Sequence, residues 1–181
     1  MSISKRILLT IVLVLYSTPI ILACFGNTGE NQTGNNSIWL EGYTDIDDFD
    51  YYMDGNEIFL TDFNSSEKKV RINSSYEIED SVYYVVSLDG VFARDNVKSV
   101  IIPEGVHSVG ANEFNSSGVK FLYLPSTLQD IGDDSFWGCF RDAEKIYYGG
   151  SKEQWEQLCT VERSEIDVKQ IVYDASPDDL K

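Results

Sequence analysis

Two consecutive segments of this chain repeat each other. Residues 97–118 read VKSVIIPEGVHSVGANEFNSSG and residues 119–140 read VKFLYLPSTLQDIGDDSFWGCF. At an offset of 22, Val97 falls on Val119, Lys98 on Lys120, Val100 on Leu122, Ile102 on Leu124 and Pro103 on Pro125. Val106, Val109, Gly110 and Phe114 then fall on Leu128, Ile131, Gly132 and Phe136. A fixed period in the twenties marks stacked supersecondary units, none of which can close a core alone. The chain must therefore stack them, which predicts an α/β-type repeat solenoid with a parallel sheet.

The strand half of each unit reads apolar-x-x-apolar-x-apolar and then turns. The pattern occurs at Val97–Pro103 and Val119–Pro125, again at Ala143-x-x-Ile146-x-Tyr148, and again at Val168-x-x-Ile171-x-Tyr173. Its second half survives upstream as Val70-x-Ile72. Five strands are predicted, at 67–73, 97–103, 119–125, 143–149 and 168–174. Alternation along a strand assigns the faces. Val100, Ile102 and their counterparts point inward, whereas Ser99, Ile101 and theirs point outward. Pro103 and Pro125 end their strands because proline has no N–H to continue the pairing. Val106, Val109 and Phe114 line the returning arc with Leu128, Ile131 and Phe136 stacked beneath. Gly110 and Gly132 are expected to permit a tight backbone bend.

The ends depart from the pattern, as terminal repeats do. Between Asn73 and Phe92 the unit is longer than its successors, and the insert around EIEDSVYY predicts an extended hairpin or loop. At the other end, Ser151 and Gln154 form a plausible capping box. Trp155, Leu158 and Cys159 then make one apolar helix face, with Glu153 and Glu156 toward solvent. Upstream, Trp39, Tyr43, Phe49, Tyr51 and Tyr52 predict a packed cap on the first turn.

The run Val-x-x-Ile-x-Ile-Pro-x-x-Val-x-x-Ile-Gly-x-x-x-Phe, present at 97–114 and 119–136, resembles the BspA-type leucine-rich repeat of bacterial surface proteins. The ending at Ile146–Trp155, IYYGGSKEQW, is similar to one found in that family. One departure is the residue before the Phe, usually small and here Glu113 and Ser135. The resemblance implies a short right-handed leucine-rich-repeat-like solenoid, with an irregular N-terminal cap at 38–66, repeats over 67–174, a C-terminal helix-plus-strand cap and a tail at 175–181. It also implies surface adhesion or binding, and it carries no catalytic residues.

Residues 1–23 read as an export signal: Lys5 and Arg6 precede a mostly apolar run from Ile7 to Leu15, with Ile20–Ala23 closing the segment. The run is short for a bilayer span, which needs roughly 20 residues. Ile21-Leu22-Ala23-Cys24 resembles a bacterial lipobox, so Cys24 is the expected lipidation site and the membrane a partner through that anchor. The alternative is an ordinary secretory signal and a secreted protein. Residues 24–37, rich in Gly, Asn, Thr and Ser, read as a flexible tether. Cys139 and Cys159 are then left either as a disulfide or as two buried thiols.

The formal net charge of −16, from 30 acidic against 14 basic residues, opposes binding to nucleic acid. Catalytic constellations are absent from the sequence. The single histidine, His107, has no oriented partner and reads as an exposed turn residue. No His/Cys spacing fits zinc. The acidic run from Asp45 to Glu57 fails an EF-hand, since Gly55 at position six puts Tyr52 third and Thr61 last. A looser cation site or a solvated acidic loop before a strand at Glu57–Asp62 remain for it. No cofactor and no metal are expected.

The outward face of the repeat sheet is the candidate binding surface. One column holds Ile101, Tyr123 and Tyr147, and its neighbour Ser99, Phe121 and Lys145. Exposed, such a ladder would be a contact surface for an extracellular protein or glycan; cross-strand packing is the competing account. The function expected is a non-enzymatic, cell-surface binding or adhesion module, with a structural spacer or self-assembling surface subunit as the alternative.

Overall fold

A computed structural model describes residues 42–93, 97–137, 145–158 and 171–180. All of them belong to one unit, Asn35–Lys181. The expected signal peptide, Cys24, the tether, Cys139 and Cys159 lie outside the described residues.

The five predicted repeat strands form one parallel sheet. They are β3 (Lys69–Arg71), β6 (Ser99–Ile101), β8 (Phe121–Leu124), β10 (Lys145–Tyr148) and β11 (Ile171–Val172), in the order β11-β10-β8-β6-β3. The register follows the strand pattern read from the sequence: Val100 lies beside Leu122, Ile101 beside Tyr123, and Tyr123 beside Tyr147. Val100, Ile102, Leu122, Leu124, Ile146 and Tyr148 all point into the core, as the alternation requires.

The returning arcs form a second sheet that the repeat pattern did not announce. Its strands are β1 (Phe49–Asp54), β2 (Glu57–Phe63), β5 (Ser81–Leu88), β7 (Ser108–Val109) and β9 (Asp130–Ile131), in that order, with β4 (Ser75–Ile78) paired to β5. The last two are only two residues long. The predicted insert is the antiparallel β4–β5 hairpin. Its loop, Glu79–Asp80, has φ of 49° and 63°, the two positive values that a tight hairpin turn requires. The acidic run is not a loop: residues 46–48 form a 3-10 turn, 49–54 form strand β1, 55–56 turn the chain, and β2 begins at Glu57, as expected.

Between the sheets lies one apolar core with a phenylalanine column along its axis. Phe49, Phe63, Phe92, Phe114 and Phe136 follow one another with centroids 5.3 to 5.7 Å apart. Each such pair adds about 0.5–1.5 kcal/mol beyond simple burial. The cap shares this column: the N–H of Thr44 donates to the Arg71 carbonyl, and its hydroxyl oxygen accepts from the Arg71 N–H, covering the β3 edge.

Gly110 and Gly132 serve a different purpose from the one expected. Neither has a positive φ. A Cβ on Gly132 would lie 2.4 Å from the Ala111 nitrogen, and one on Gly110 would lie 2.9 Å from the Asp89 Cα. They let successive turns touch backbone to backbone.

The helix α1 (Lys152–Leu158) starts as predicted. The Ser151 N–H donates to Gln154 Oε1, and the Gln154 N–H donates to Ser151 Oγ. Trp155 is buried edge-on against Tyr148.

Candidate functional site

The repeat sheet turns the expected columns outward but does not leave them open. Ser99, Ile101, Tyr123 and Tyr147 are only 1%, 3%, 2% and 4% exposed. For Ile101, Tyr123 and Tyr147 the reason is the segment expected to be a tail. After β11, the Asp174 N–H donates to the Gly150 carbonyl and the Ala175 N–H to the Tyr148 carbonyl. A 3-10 turn at Pro177–Asp179 follows, closed by a reciprocal bond between Ser176 and Asp179. It carries Leu180, fully buried, into a second apolar cluster with Ile101, Tyr123, Tyr147 and Ala175. This strap corrects the expectation of an exposed ladder. Of the six residues, Phe121 stays half-buried against the cluster and Lys145 stays exposed.

Polar contacts fix the strap and its floor. The Tyr123 hydroxyl donates to Glu104 Oε1 at 3.1 Å. Glu104 also accepts from the N–H groups of Ser126 and Thr127, tying the Pro103 turn to the Pro125 turn. Burial pushes the Tyr123 hydroxyl well above its ordinary pKa, and Glu104 and Asp179 push the same way. Tyr147 is raised by burial and by Asp179. Gly149 belongs to this floor, since a Cβ there would meet the Tyr123 hydroxyl at 2.6 Å.

The second sheet has the opposite character at its N-terminal end. Ile58, Leu60, Val85 and Leu88 face the core. Phe59, between the first two, faces out and is half-buried, and on β5 Tyr84 and Val82 face out before Val85. Tyr52 lies opposite Phe59 and stacks on it, with centroids 4.7 Å apart and planes 3° from parallel. Glu57 sits between Asp54 on one side and Tyr84 on the other. Tyr52 and Tyr84 are 53% and 51% exposed, and Val82 beside them is equally open. Monomeric domains seldom leave contiguous aromatic surface uncovered unless something binds it. The sequence held the signal for this patch in Tyr51–Tyr52 and Tyr83–Tyr84, but the aromatic residues before Glu57 were expected to pack inward as a cap. Phe49 does so, and Tyr52 does not.

Glu113 is the one fully buried carboxylate among the described residues. It accepts from the N–H groups of Gly90, Val91 and Phe92 in the preceding turn. Burial pushes its pKa up to about 7, against those three bonds and with help from Asp89. In the next unit Ser135 occupies its place and donates to the carbonyls of Gly110 and Gly132. The departure from a small residue is thus a tie between turns, sealed from any substrate.

His107 is half-buried rather than exposed, and its N–H donates to the Val86 carbonyl. Among the described residues no group of three or more His, Cys, Asp or Glu is placed to hold a metal. A shallow polar pocket of about 430 Å³ lies between the 126–129 turn and α1, lined partly by Gln129, Gln154 and Gln157.

No curated protein matches this chain. Among solved structures, it is similar to a leucine rich cell surface protein from Faecalibacterium prausnitzii, with 22% identity and a TM-score of 0.49 over 59% of this chain and 32% of that one. It is similar to a leucine-rich repeat protein from Bacteroides ovatus at 21% identity and a TM-score of 0.41, over 57% and 34% of the two chains. A leucine rich repeat protein of T. pallidum gives 15% identity and a TM-score of 0.30, over 59% and 71%. The alignments span about a third of the first two proteins' lengths. The family model of the BspA type leucine rich repeat region matches residues 62–142 and 88–159, together more than half of the chain. The stacked units, their one-register parallel sheet and this match agree: the chain belongs to the BspA-type leucine-rich repeat family.

Proposed function

We propose that this protein is an exported, non-enzymatic interaction module, held at a bacterial membrane by lipid on Cys24, that binds an extracellular protein or glycan. Leucine-rich repeat folds of this family serve typically as binding or scaffold modules, and the signal-like N-terminus accounts for export. The observation that carries the reading is the pair of exposed tyrosines on the outer face of the second sheet, Tyr52 opposite Phe59 and Tyr84 opposite Glu57. Tyrosine suits a contact surface because it offers a rigid apolar body and a polar tip. The contact face is therefore this one, and not the strap-covered columns.

Capture of extracellular proteins and glycans on the immobilised chain, compared between wild type and the Tyr52→Ser/Tyr84→Ser variant, tests the reading. Loss of the captured partner in the variant is expected; unchanged capture overturns it. Anchoring is tested separately. Cys24→Ala should move the protein from the membrane fraction to the soluble one, and retention would contradict a lipid anchor.

A further inference from the structure

The open aromatic face has a sign of charge as well as a shape. Asp50, Asp54, Glu57 and Glu77 are exposed around Tyr52, Phe59, Tyr84 and Val82. The sequence has no Lys, Arg or His from Ile7 to Glu67, nor from Ile72 to Ala93. Strands β1, β2, β4 and β5 therefore bring no cation of their own to this face. The basic side chains gather instead along the repeat sheet, at Lys68, Lys69, Arg71, Lys98, Lys120 and Lys145.

Aromatic faces and carboxylates attract the same ligand group. A cation over a tyrosine ring gains about 0.5–1 kcal/mol at an exposed site, and an exposed ion pair gains a similar amount. The molecule already contains one such contact, with the Arg71 guanidinium 4.7 Å from the Tyr43 ring centroid. Spacing narrows the ligand further. On β1, Asp50, Tyr52 and Asp54 share the outer face, and on β2 Glu57 and Phe59 do. Residues two apart on a strand are separated by roughly 6.5–7 Å. An extended polypeptide with basic residues at alternate positions has the same repeat.

From these observations we infer that the face of Tyr52, Phe59 and Tyr84 recognises an extended polypeptide segment carrying Arg or Lys at alternate positions. Each cation lies over a ring or beside a carboxylate, and the surrounding negative charge accelerates encounter. The inference rests on the functional reading above and narrows its partner from protein or glycan to a basic, extended protein segment.

The test uses the full chain in nonionic detergent and three fluorescent peptides: one alternating Arg and Ser, one of the same composition with the Arg residues clustered, and one alternating Asp and Ser. Anisotropy should show the alternating basic peptide binding tightest and the acidic one not at all. Tyr52→Ser/Tyr84→Ser should weaken the basic peptide by about 5- to 30-fold, the equivalent of losing two cation–π contacts. Asp54→Asn/Glu57→Gln should weaken it and flatten the salt dependence. Because Tyr52 supports Phe59, Tyr84→Ser alone serves if the double variant loses its fold. Equal binding of clustered and alternating peptides, unaffected by the tyrosine changes, would reduce the effect to general attraction toward an acidic chain and overturn the inference. So would no binding of the alternating peptide. If in that case extracellular capture still requires Tyr52 and Tyr84, the functional reading stands and only the basic partner falls.

Discussion

The two sheets of this solenoid enclose one core and end up with opposite surfaces. The repeat sheet turns Ile101, Tyr123 and Tyr147 outward and covers them with its own chain. The arc sheet turns Tyr52, Phe59 and Tyr84 outward and leaves the two tyrosines open, with Phe59 half-buried against Tyr52. Both carry aromatic residues, so residue type alone does not distinguish an open face from a packed one. The distinction is a single segment, 174–180, and the leucine it delivers. Charge follows the same division, with lysines along the covered sheet and carboxylates around the open one.

The shared core is where the largest effect lies, because neither face survives without it. Phe114→Ala removes the middle of the stacked column and should cost about 3–5 kcal/mol. Chemical denaturation should show both faces losing structure in one transition. Separate transitions would mean that the cap and the repeats fold independently.

Glu113 provides a pH-dependent handle on the same stack. Its folded pKa, about 7, lies above the ordinary 4.5. The folded state therefore holds this proton more tightly than the unfolded state does. The associated stability is fully present below about pH 4.5 and is lost as pH rises through about 7, a change on the order of 3 kcal/mol. Glu113→Gln has no such proton. The stability difference between wild type and variant should therefore shrink or reverse between about pH 5 and pH 8, read by denaturant titration. A constant difference would contradict the burial of this carboxyl.

Leu180→Ala acts on one face only. It should cost about 2 kcal/mol, raise binding of an apolar dye, and leave the Tyr52 face unchanged. The smallest effect is predicted for Tyr84→Ser. Stability should move by less than about 0.5 kcal/mol, as at other exposed sites, although partner binding falls. A large stability loss there would make Tyr84 a packing residue.

The recurring strand pattern located all five strands of the covered sheet and their register, because stacking demands inward apolar positions at the same place in every unit. It also located Phe92, Phe114 and Phe136. Ser151 and Gln154 announced the helix. Of the arc sheet, β2 was expected at Glu57–Asp62 and the β4–β5 insert as a hairpin or loop, but β7 and β9 were not legible, since they are two residues long and have no room for an alternating pattern. The strap was not legible either. Its anchoring side chains, the small Ala175 and Leu180, stand in a run of polar and acidic residues that looks like a solvated tail. What a sheet face meets depends on where distant chain returns, and periodicity holds no information on that. The acidic run was legible as charge, and Glu57 as the start of a strand, but β1 was not, because Asp50 and Asp54 occupy the outward half of an alternation whose register is irregular at the bulge between Asp50 and Tyr51.

The central claim, one face closed and the other open, is tested most directly by residue-resolved tyrosine nitration of the native protein. Tyr52 and Tyr84 should react rapidly, whereas Tyr123 and Tyr147, buried and with hydroxyls held protonated beside Glu104 and Asp179, should stay unmodified until the protein unfolds. Nitration of Tyr123 and Tyr147 at rates equal to those of Tyr52 and Tyr84 would contradict the account.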